Sequence, residues 1–285
     1  MKERMIRRKT NKLILPVLKW VGGKRQLIPE LDKLMPKTYN RYIEPFIGGG
    51  ALLFHLQPKI AIISDINEEL INLYNVIKNT PDELIIDLKK HENSKEYFYI
   101  IRSLDRDKSK YERLTSIEKA SRLIFLNKTC YNGLFRVNNS GEFNSPFGSY
   151  LNPNIVNEYT IKAVSLYFNE NKIDIECDDY SNILKKVRQD DFVYLDPPYD
   201  PISDSSNFTG YTKNKFDKIE QIRLKNECDE LSKKQVKFML SNSSTDFILD
   251  LYDSYNVYEI NAKRSINSDP SKRGEITEVV ITNYA

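Results

Sequence analysis

The sequence predicts an α/β protein built on a doubly wound, largely parallel sheet, interrupted by an inserted and mainly helical domain. Three observations carry this expectation. Short apolar runs alternate with segments of helical periodicity in both halves of the chain, as βαβ units require. A glycine turn, Gly48-Gly49-Gly50, stands where the first such run meets a helix. From residue 81 to 165 the pattern changes to charged, tyrosine-rich helical segments followed by a long polar stretch. The expected division is therefore a sheet-forming domain from 1–80 and 166–285, with an insert at 81–165.

Taken in order, the first strand is expected over residues 42–46, followed by the glycine turn and a helix start at 51–56. A second strand over 60–63 ends at Ser64-Asp65, after which Leu70, Ile71, Leu73, Tyr74 and Ile77 recur at helical spacing. Within the insert, helical patterns over 84–104 and 117–126 lead into residues 128–157, rich in Asn, Gly, Ser and Pro and without periodicity. A loop of that length in a compact domain is either functional or disordered, and its aromatic residues favour function. Strand-like runs resume at 172–177, 192–195, 236–240, 256–260 and 276–282, with a helical pattern between 219 and 231.

Composition bounds the function. With 285 residues, 40% hydrophobic and 29% charged, the chain can bury the core of one large domain or two small ones. It has no apolar stretch approaching the roughly 20 residues that span a bilayer, and its basic start is not followed by a signal core, so a cytoplasmic protein without a membrane partner is expected. Cys130, Cys177 and Cys228 are odd in number and widely spaced, which argues against a disulfide framework and a zinc site; no metal is expected. Only His55 and His91 are present, so mechanisms needing histidine clusters find few candidates. The net charge of +3 does not announce a nucleic-acid binder, but Lys2, Arg4, Arg7, Arg8, Lys9 and Lys12 face a single Glu3, and residues 89–128 are also rich in Lys and Arg. Such runs are as often a solvated surface as a polyanion-binding face.

The sharpest motif is Asp196-Pro197-Pro198-Tyr199, directly after the apolar run 192–195. In an open α/β sheet, ligands bind beyond the carboxyl ends of the strands, which is where this loop falls. Proline-rigidified turns also serve structure alone, so the residue types decide. The amino group of a nucleobase is a poor nucleophile because its lone pair is delocalised into the ring. Two acceptors on its two N–H bonds make it more tetrahedral. Asp196 offers a carboxylate oxygen and Pro197 its backbone carbonyl, both held by two fixed φ angles, while Tyr199 offers a flat face on which a base can stack.

The second motif, Glu44-Pro45-Phe46-Ile47-Gly48-Gly49-Gly50, lies at the strand-to-helix turn. Asp65 follows seventeen residues beyond Gly48, at the end of the next strand, where an acidic residue can accept hydrogen bonds from ribose hydroxyls. The glycines follow neither the G-x-G-x-x-G fingerprint nor a phosphate-binding P-loop, so an adenosyl cofactor without a diphosphate fits better. A third cluster, Lys19-Trp20-Val21-Gly22-Gly23-Lys24-Arg25, holds the only tryptophan; a lone Trp is more often core than a ligand platform, and Gly-Gly-Lys is weak evidence for a phosphate site.

Together, Lys19 to Lys24, Glu44 to Gly50, Asp65, Tyr131-Asn132-Gly133-Leu134-Phe135-Arg136, Phe143-Asn144-Ser145-Pro146-Phe147-Gly148 and Asp196 to Tyr199 resemble the Dam-type N6-adenine DNA methyltransferases, in order and over nearly the whole chain. The likeness is greatest to type II modification enzymes that methylate GATC, in the α arrangement of cofactor motif, recognition insert and catalytic motif. It implies a sheet of the S-adenosylmethionine-dependent methyltransferases with 81–165 as the DNA target-recognition domain. It also implies double-stranded DNA as partner, no obligate protein partner, and base flipping. By the same resemblance Trp20, Lys24, Phe46, Asp65, Asp179 and Asp196 contact S-adenosylmethionine, and Asp196, Pro197 and Tyr199 are catalytic. Lys19, Tyr131, Leu134, Arg136, Pro146 and Tyr150 contact DNA: Arg136 suits a guanine O6/N7 fork, Leu134 and Pro146 a thymine methyl, and Tyr131 a wedge where the adenine leaves. The family's glycine is Asp178 here, which weakens the alignment at Asp179.

Other classes fit less well. Cytosine-C5 transfer needs a cysteine nucleophile following a proline, and none of the three does so. N4-cytosine enzymes more often carry serine at the Asp196 position, and RNA or protein-glutamine methyltransferases carry asparagine and lack the insert. A nicotinamide oxidoreductase would need the diphosphate fingerprint that is missing. A binding module that had lost turnover would not require an intact Asp196 to Tyr199 motif.

Overall fold

The computed structural model describes residues 10–20, 22–202, 216–263 and 275–285. Lys2, Arg4, Arg7, Arg8 and Lys9 of the basic start lie outside the described residues. The chain runs through α1 (Ile28–Leu34), β1 (Tyr42–Glu44), α2 (Ala51–Leu56), β2 (Ile60–Asp65) and α3 (Glu68–Asn79). Five helices follow: α4 (Pro81–Leu88), α5 (Lys95–Ser103), α6 (Lys108–Arg113), α7 (Ser116–Thr129) and α8 (Glu158–Glu170). Then come β3 (Lys172–Cys177), α9 (Tyr180–Leu184), β4 (Phe192–Leu195), α10 (Lys218–Lys233), β5 (Lys237–Ser243), α11 (Asp246–Leu251), β6 (Asn256–Lys263) and β7 (Glu275–Thr282).

The strands form one sheet in the order β3-β2-β1-β4-β5-β7-β6. The first five are parallel, and β7 runs antiparallel between β5 and β6. The sheet is thus the expected doubly wound, largely parallel one, finished by an antiparallel pair that apolar patterning did not distinguish. Residues alternate between two cores. Tyr42, Ile63, Phe192 and Tyr194 face α3, α7 and α8, whereas Ile43, Ile62, Val193 and Leu195 face α9, α10 and α11. The first strand stops at Glu44, two residues short of expectation, because Pro45 has no N–H to give to a neighbouring strand.

The helical pattern over 84–104 proves to be two helices. α4 ends at Leu88, and Ser94 caps α5 by accepting from the Tyr97 N–H at 3.2 Å. The Ser94 side chain takes a local backbone hydrogen bond and Asn93 donates to Tyr150 O at 2.8 Å, neither of which periodicity registers. α7 begins at a capping box between Thr115 and Glu118, a feature of about 1 kcal/mol. It is buried along its length from Ala120 to Asn127 and shares one core with α3, α4, α5 and α8. The expected boundary between 165 and 166 falls inside α8. Among the described residues no helix is long and apolar enough to cross a membrane.

Candidate active site

The parallel strands β3, β2, β1 and β4 are neighbours, so the residues following their carboxyl ends converge on one edge. After β1, Ile47 donates to Ser64 O at 2.9 Å and Tyr74 Oη donates to Gly48 O at 2.7 Å, tying the glycine turn to β2 and α3. Gly48 adopts a φ of +45°, and a Cβ there would lie 2.9 Å from Trp20 Cδ1. Glycine is needed both for the backbone conformation and for the approach of the indole. Asp65 closes the turn from the end of β2: its Oδ2 accepts from Gly48 N–H at 3.1 Å and its Oδ1 from Asn67 N–H at 3.0 Å. Burial pushes its carboxyl up to about 6 against these hydrogen bonds.

Beyond β4, Asp196 Oδ1 lies 2.7 Å from Lys24 Nζ. The ammonium also donates to Gly22 O at 2.6 Å, and it sits 4.6 Å from the centre of the Tyr199 ring. Both side chains of the pair are mostly buried, and Asp196 Oδ1 takes no hydrogen bond of good geometry. Burial raises the Asp196 carboxyl to about 6, with Lys24 opposing and the Glu278 carboxylate adding to the rise. Tyr199 is held at its far end, where its Oη donates to Glu278 Oε2 on β7 at 2.9 Å. The loop itself hangs on a buried amide pair. Gln221 on α10 donates to Pro198 O at 2.9 Å and accepts from Asn242 Nδ2 at 3.1 Å, while Asn242 Oδ1 accepts from Asp200 N–H at 3.1 Å. Glu278, Gln221 and Asn242 had no signal in the sequence: Gln221 and Asn242 stand among other polar residues, and Glu278 belongs to no motif.

Phe46 and Asp179 sit together at the other end of the edge. Phe46 packs on Tyr180 at 5.1 Å between ring centres. Asp179 caps α9 by accepting from Ser181 N–H at 2.9 Å and pairs with Arg223 at 2.7 Å. Burial pushes its carboxyl up, but the hydrogen bonds from Ser181 and Arg223 outweigh it and hold the group below its ordinary value. Much of the Asp179 carboxylate is thus taken up by the protein itself.

Residues 128–157, expected as an aperiodic loop, contain a folded-back segment. Cys130 bridges Phe147 and Val137 bridges Phe143, both antiparallel, with Tyr131 N–H donating to Pro146 O at 2.8 Å and Asn144 N–H to Arg136 O at 2.7 Å. This brings Tyr131, Leu134, Arg136 and Pro146 together. Tyr131 is 50% exposed. Arg136 donates from Nη2 to Asn144 O at 3.1 Å, its buried Nε has no partner, and no carboxylate pairs with it among the described residues. Phe135 points the other way and stacks on Trp20 at 4.8 Å between ring centres, with 19° between planes. Asn127 closes the junction by accepting from Lys19 N–H at 2.9 Å and donating to Lys19 O at 2.8 Å. The Tyr150 ring lies over Gly148, where a Cβ would come within 2.6 Å of it. The two expected groups, one at the sheet edge and one on the insert, therefore meet through the Trp20–Phe135 stack.

Neither histidine joins this arrangement: His55 pairs with Asp32, and His91 bonds Tyr97 and Ser121. Among the described residues no group of three or more His, Cys, Asp or Glu is placed to hold a metal ion.

Known proteins resemble the chain over the same span. It is 46% identical over 277 residues to the Type II methyltransferase M1.LlaDCHI of Lactococcus lactis subsp. cremoris, covering 96% of this chain and 97% of that one. To the Type II methyltransferase M.MjaIII of Methanocaldococcus jannaschii it is 43% identical over 291 residues, covering 95% and 99%. Identity to the DNA adenine methylase of Escherichia coli K12 is 31% over 271 residues, covering 92% and 93%. Residues 20–266, which include the Trp20 cluster, the glycine turn, the insert and the Asp196 motif, match the family model described as D12 class N6 adenine-specific DNA methyltransferase, and the chain belongs to that family.

Proposed function

We propose that this chain transfers the methyl group of S-adenosylmethionine to N6 of the adenine in GATC of duplex DNA, as the modification enzyme of a restriction-modification system. The observation that carries the reading is the Asp196 carboxylate. It is mostly buried, its Oδ1 lies 2.7 Å from the Lys24 ammonium without a well-aligned hydrogen bond, and it stands at the edge where the glycine turn and the insert meet. The GATC and restriction-modification assignments rest on likeness to type II and DNA adenine methylases, together with the match of an arginine fork to guanine.

The residues present suit an adenosyl sulfonium. Asp65 is a partly buried carboxylate at a strand end, above its ordinary value, that ribose hydroxyls would stabilise; Phe46 offers an aromatic face nearby, and Trp20 backs the turn. Lys24 beside Asp196 suits the polar end of the methionine portion. When bound, S-adenosylmethionine supplies an electrophilic methyl on positively charged sulfur. Asp196 and the Pro197 carbonyl accept the two N6–H bonds and localise the nitrogen lone pair, which forms the new C–N bond. As the nitrogen takes the methyl group, one N6 proton would pass to solvent. Tyr199, braced by Glu278, stacks on the extruded base. Residues 81–165 act as the target-recognition domain, with Lys19, Tyr131, Leu134, Arg136, Pro146 and Tyr150 toward the duplex.

The test is to incubate the enzyme and S-adenosylmethionine with genomic DNA lacking adenine methylation and map the modified bases. N6-methyladenine confined to GATC is expected. N4-methylcytosine would overturn the assigned base, and N6-methyladenine in another motif would overturn GATC. A neighbouring endonuclease gene cutting the same sequence tests the modification role.

A further inference from the structure

Arg122 is the largest fully buried side chain of the described protein, 2% exposed in the middle of α7. Its Nε donates to Ile101 O and its Nη2 to Arg102 O, both at 3.0 Å, so it satisfies carbonyls in the last turn of α5. Its charge is met by Asp105, in the 3₁₀ turn that follows, at 2.7 Å from Nη2 to Oδ2. Glu69 is more distant, at 3.9 Å. The Asp105 side chain is itself only 9% exposed, and the same Oδ2 accepts the Phe143 N–H at 2.7 Å.

Phe143 belongs to the folded-back segment of the insert. Arg106, paired with the other Asp105 oxygen, donates to Phe143 O at 2.6 Å, and Arg102 donates to Ser145 O at 3.2 Å. Side chains from one short turn thus hold both backbone groups of Phe143, as a neighbouring strand would. What depends on this segment is the side that carries Leu134 and Arg136. Asn144 N–H bonds Arg136 O, Asn144 O accepts from the Arg136 guanidinium, and Ser145 Oγ donates to Leu134 O.

We propose that Asp105 is a positioning residue for sequence discrimination: by bridging buried Arg122 to the Phe143 amide it fixes residues 143–146, against which Leu134 and Arg136 are aligned. The proposal rests on the reading above that these residues face the bases. A buried charge pair is suited to this task. Losing one partner strands the other charge, so the arrangement has one well-defined geometry and few compromises.

The experiment uses the full-length enzyme with Asp105→Asn, Asp105→Ala and Arg136→Ala. It measures kcat/KM on a GATC duplex and on duplexes with one base pair changed, S-adenosylmethionine affinity, and hydrogen exchange of the Phe143 and Asn144 amides. We expect Asp105→Ala to lower the preference for GATC about tenfold and to speed Phe143 exchange by at least about as much, with cofactor affinity unchanged. Asp105→Asn, which keeps the shape and loses the charge, should show a smaller loss of the same kind and decides the matter if the alanine variant does not fold. A merely structural role would lower rates on every duplex alike and leave the ratio unmoved. If Arg136→Ala loses preference while both Asp105 variants keep it, the proposal is overturned and the assignment of Arg136 stands. If Arg136→Ala keeps full preference, the base-reading assignment falls and the proposal falls with it.

Discussion

The phenol of Tyr199 donates to the Glu278 carboxylate at 2.9 Å, across 79 residues of sequence, so that β7 fixes the end of the Asp196 loop from the antiparallel side of the sheet. A hydrogen bond to a charged acceptor of this kind contributes roughly 1.5–3 kcal/mol. Glu278→Ala should therefore lower kcat about ten- to a hundredfold, while Glu278→Gln, which can still accept from the phenol, should retain most of it. Equal losses in the two variants, measured by single-turnover methyl transfer, would show that the bond does not orient Tyr199.

The acid limb of the rate should report Asp196. The acceptor role needs the ionised carboxylate, so activity should fall as pH drops through about 6. Lys24 faces the group from the segment just before α1, Glu278 from β7, Glu44 from β1, and the Tyr194 and Tyr199 phenols lie on its own segment. Removing the negative charge with Glu278→Gln should move the limb to lower pH, and Lys24→Met should move it to higher pH. The sign for stability is the opposite of that for activity. A carboxyl that titrates at about 6 folded and near 3.8 unfolded binds its proton more tightly in the native state, so Asp196 favours folding below 3.8 and loses that contribution as pH rises through 6. Asp196→Asn should flatten this slope in urea titrations between those values.

Asp65→Ala is expected to weaken S-adenosylmethionine binding by about ten- to a hundredfold, because it removes the proposed ribose acceptor and frees the Gly48 N–H together. Calorimetry with cofactor alone, and a DNA-binding titration that should change little, separate this from unfolding. An unchanged cofactor Kd would reduce Asp65 to a support for the turn.

Trp20 has a structural task besides any contact with a ligand. It fills the space over Gly48 and Gly49 and stacks on Phe135. Trp20→Ala should cost about 2–4 kcal/mol in denaturant unfolding, and it should also uncouple the insert from the sheet edge. Trp20→Phe should recover most of the stability. Stability equal to wild type in the alanine variant would contradict the packing role.

Arg136→Ala should relax specificity at one guanine by roughly 1–3 kcal/mol while lowering methylation of unrelated sequences less. Steady-state rates on GATC and its single-substitution variants at two salt concentrations provide the test. A uniform loss on all sequences with a flatter salt dependence would instead make the residue a phosphate contact.

Asp65 and Asp196 were singled out as candidates from sequence because each stands next to a local pattern, a strand end beside a glycine or proline turn, and local patterns follow from backbone geometry and burial of one face, whereas Lys24 was singled out only by the family resemblance. The strands themselves followed from the same rule: 172–177 and 192–195 were placed to the residue. The tertiary structure supplied the partners. Glu278 reaches Tyr199 from 79 residues away, Asp105 reaches Phe143 from 38, and Gln221 reaches Pro198 from 23. Such bonds depend on strand order and on how the insert folds against α5 and α7, neither of which leaves a period in the chain. Residues 128–157 show the same limit, since part of their conformation is held by hydrogen bonds to Asp105, Arg102 and Arg106, which no window of that segment contains.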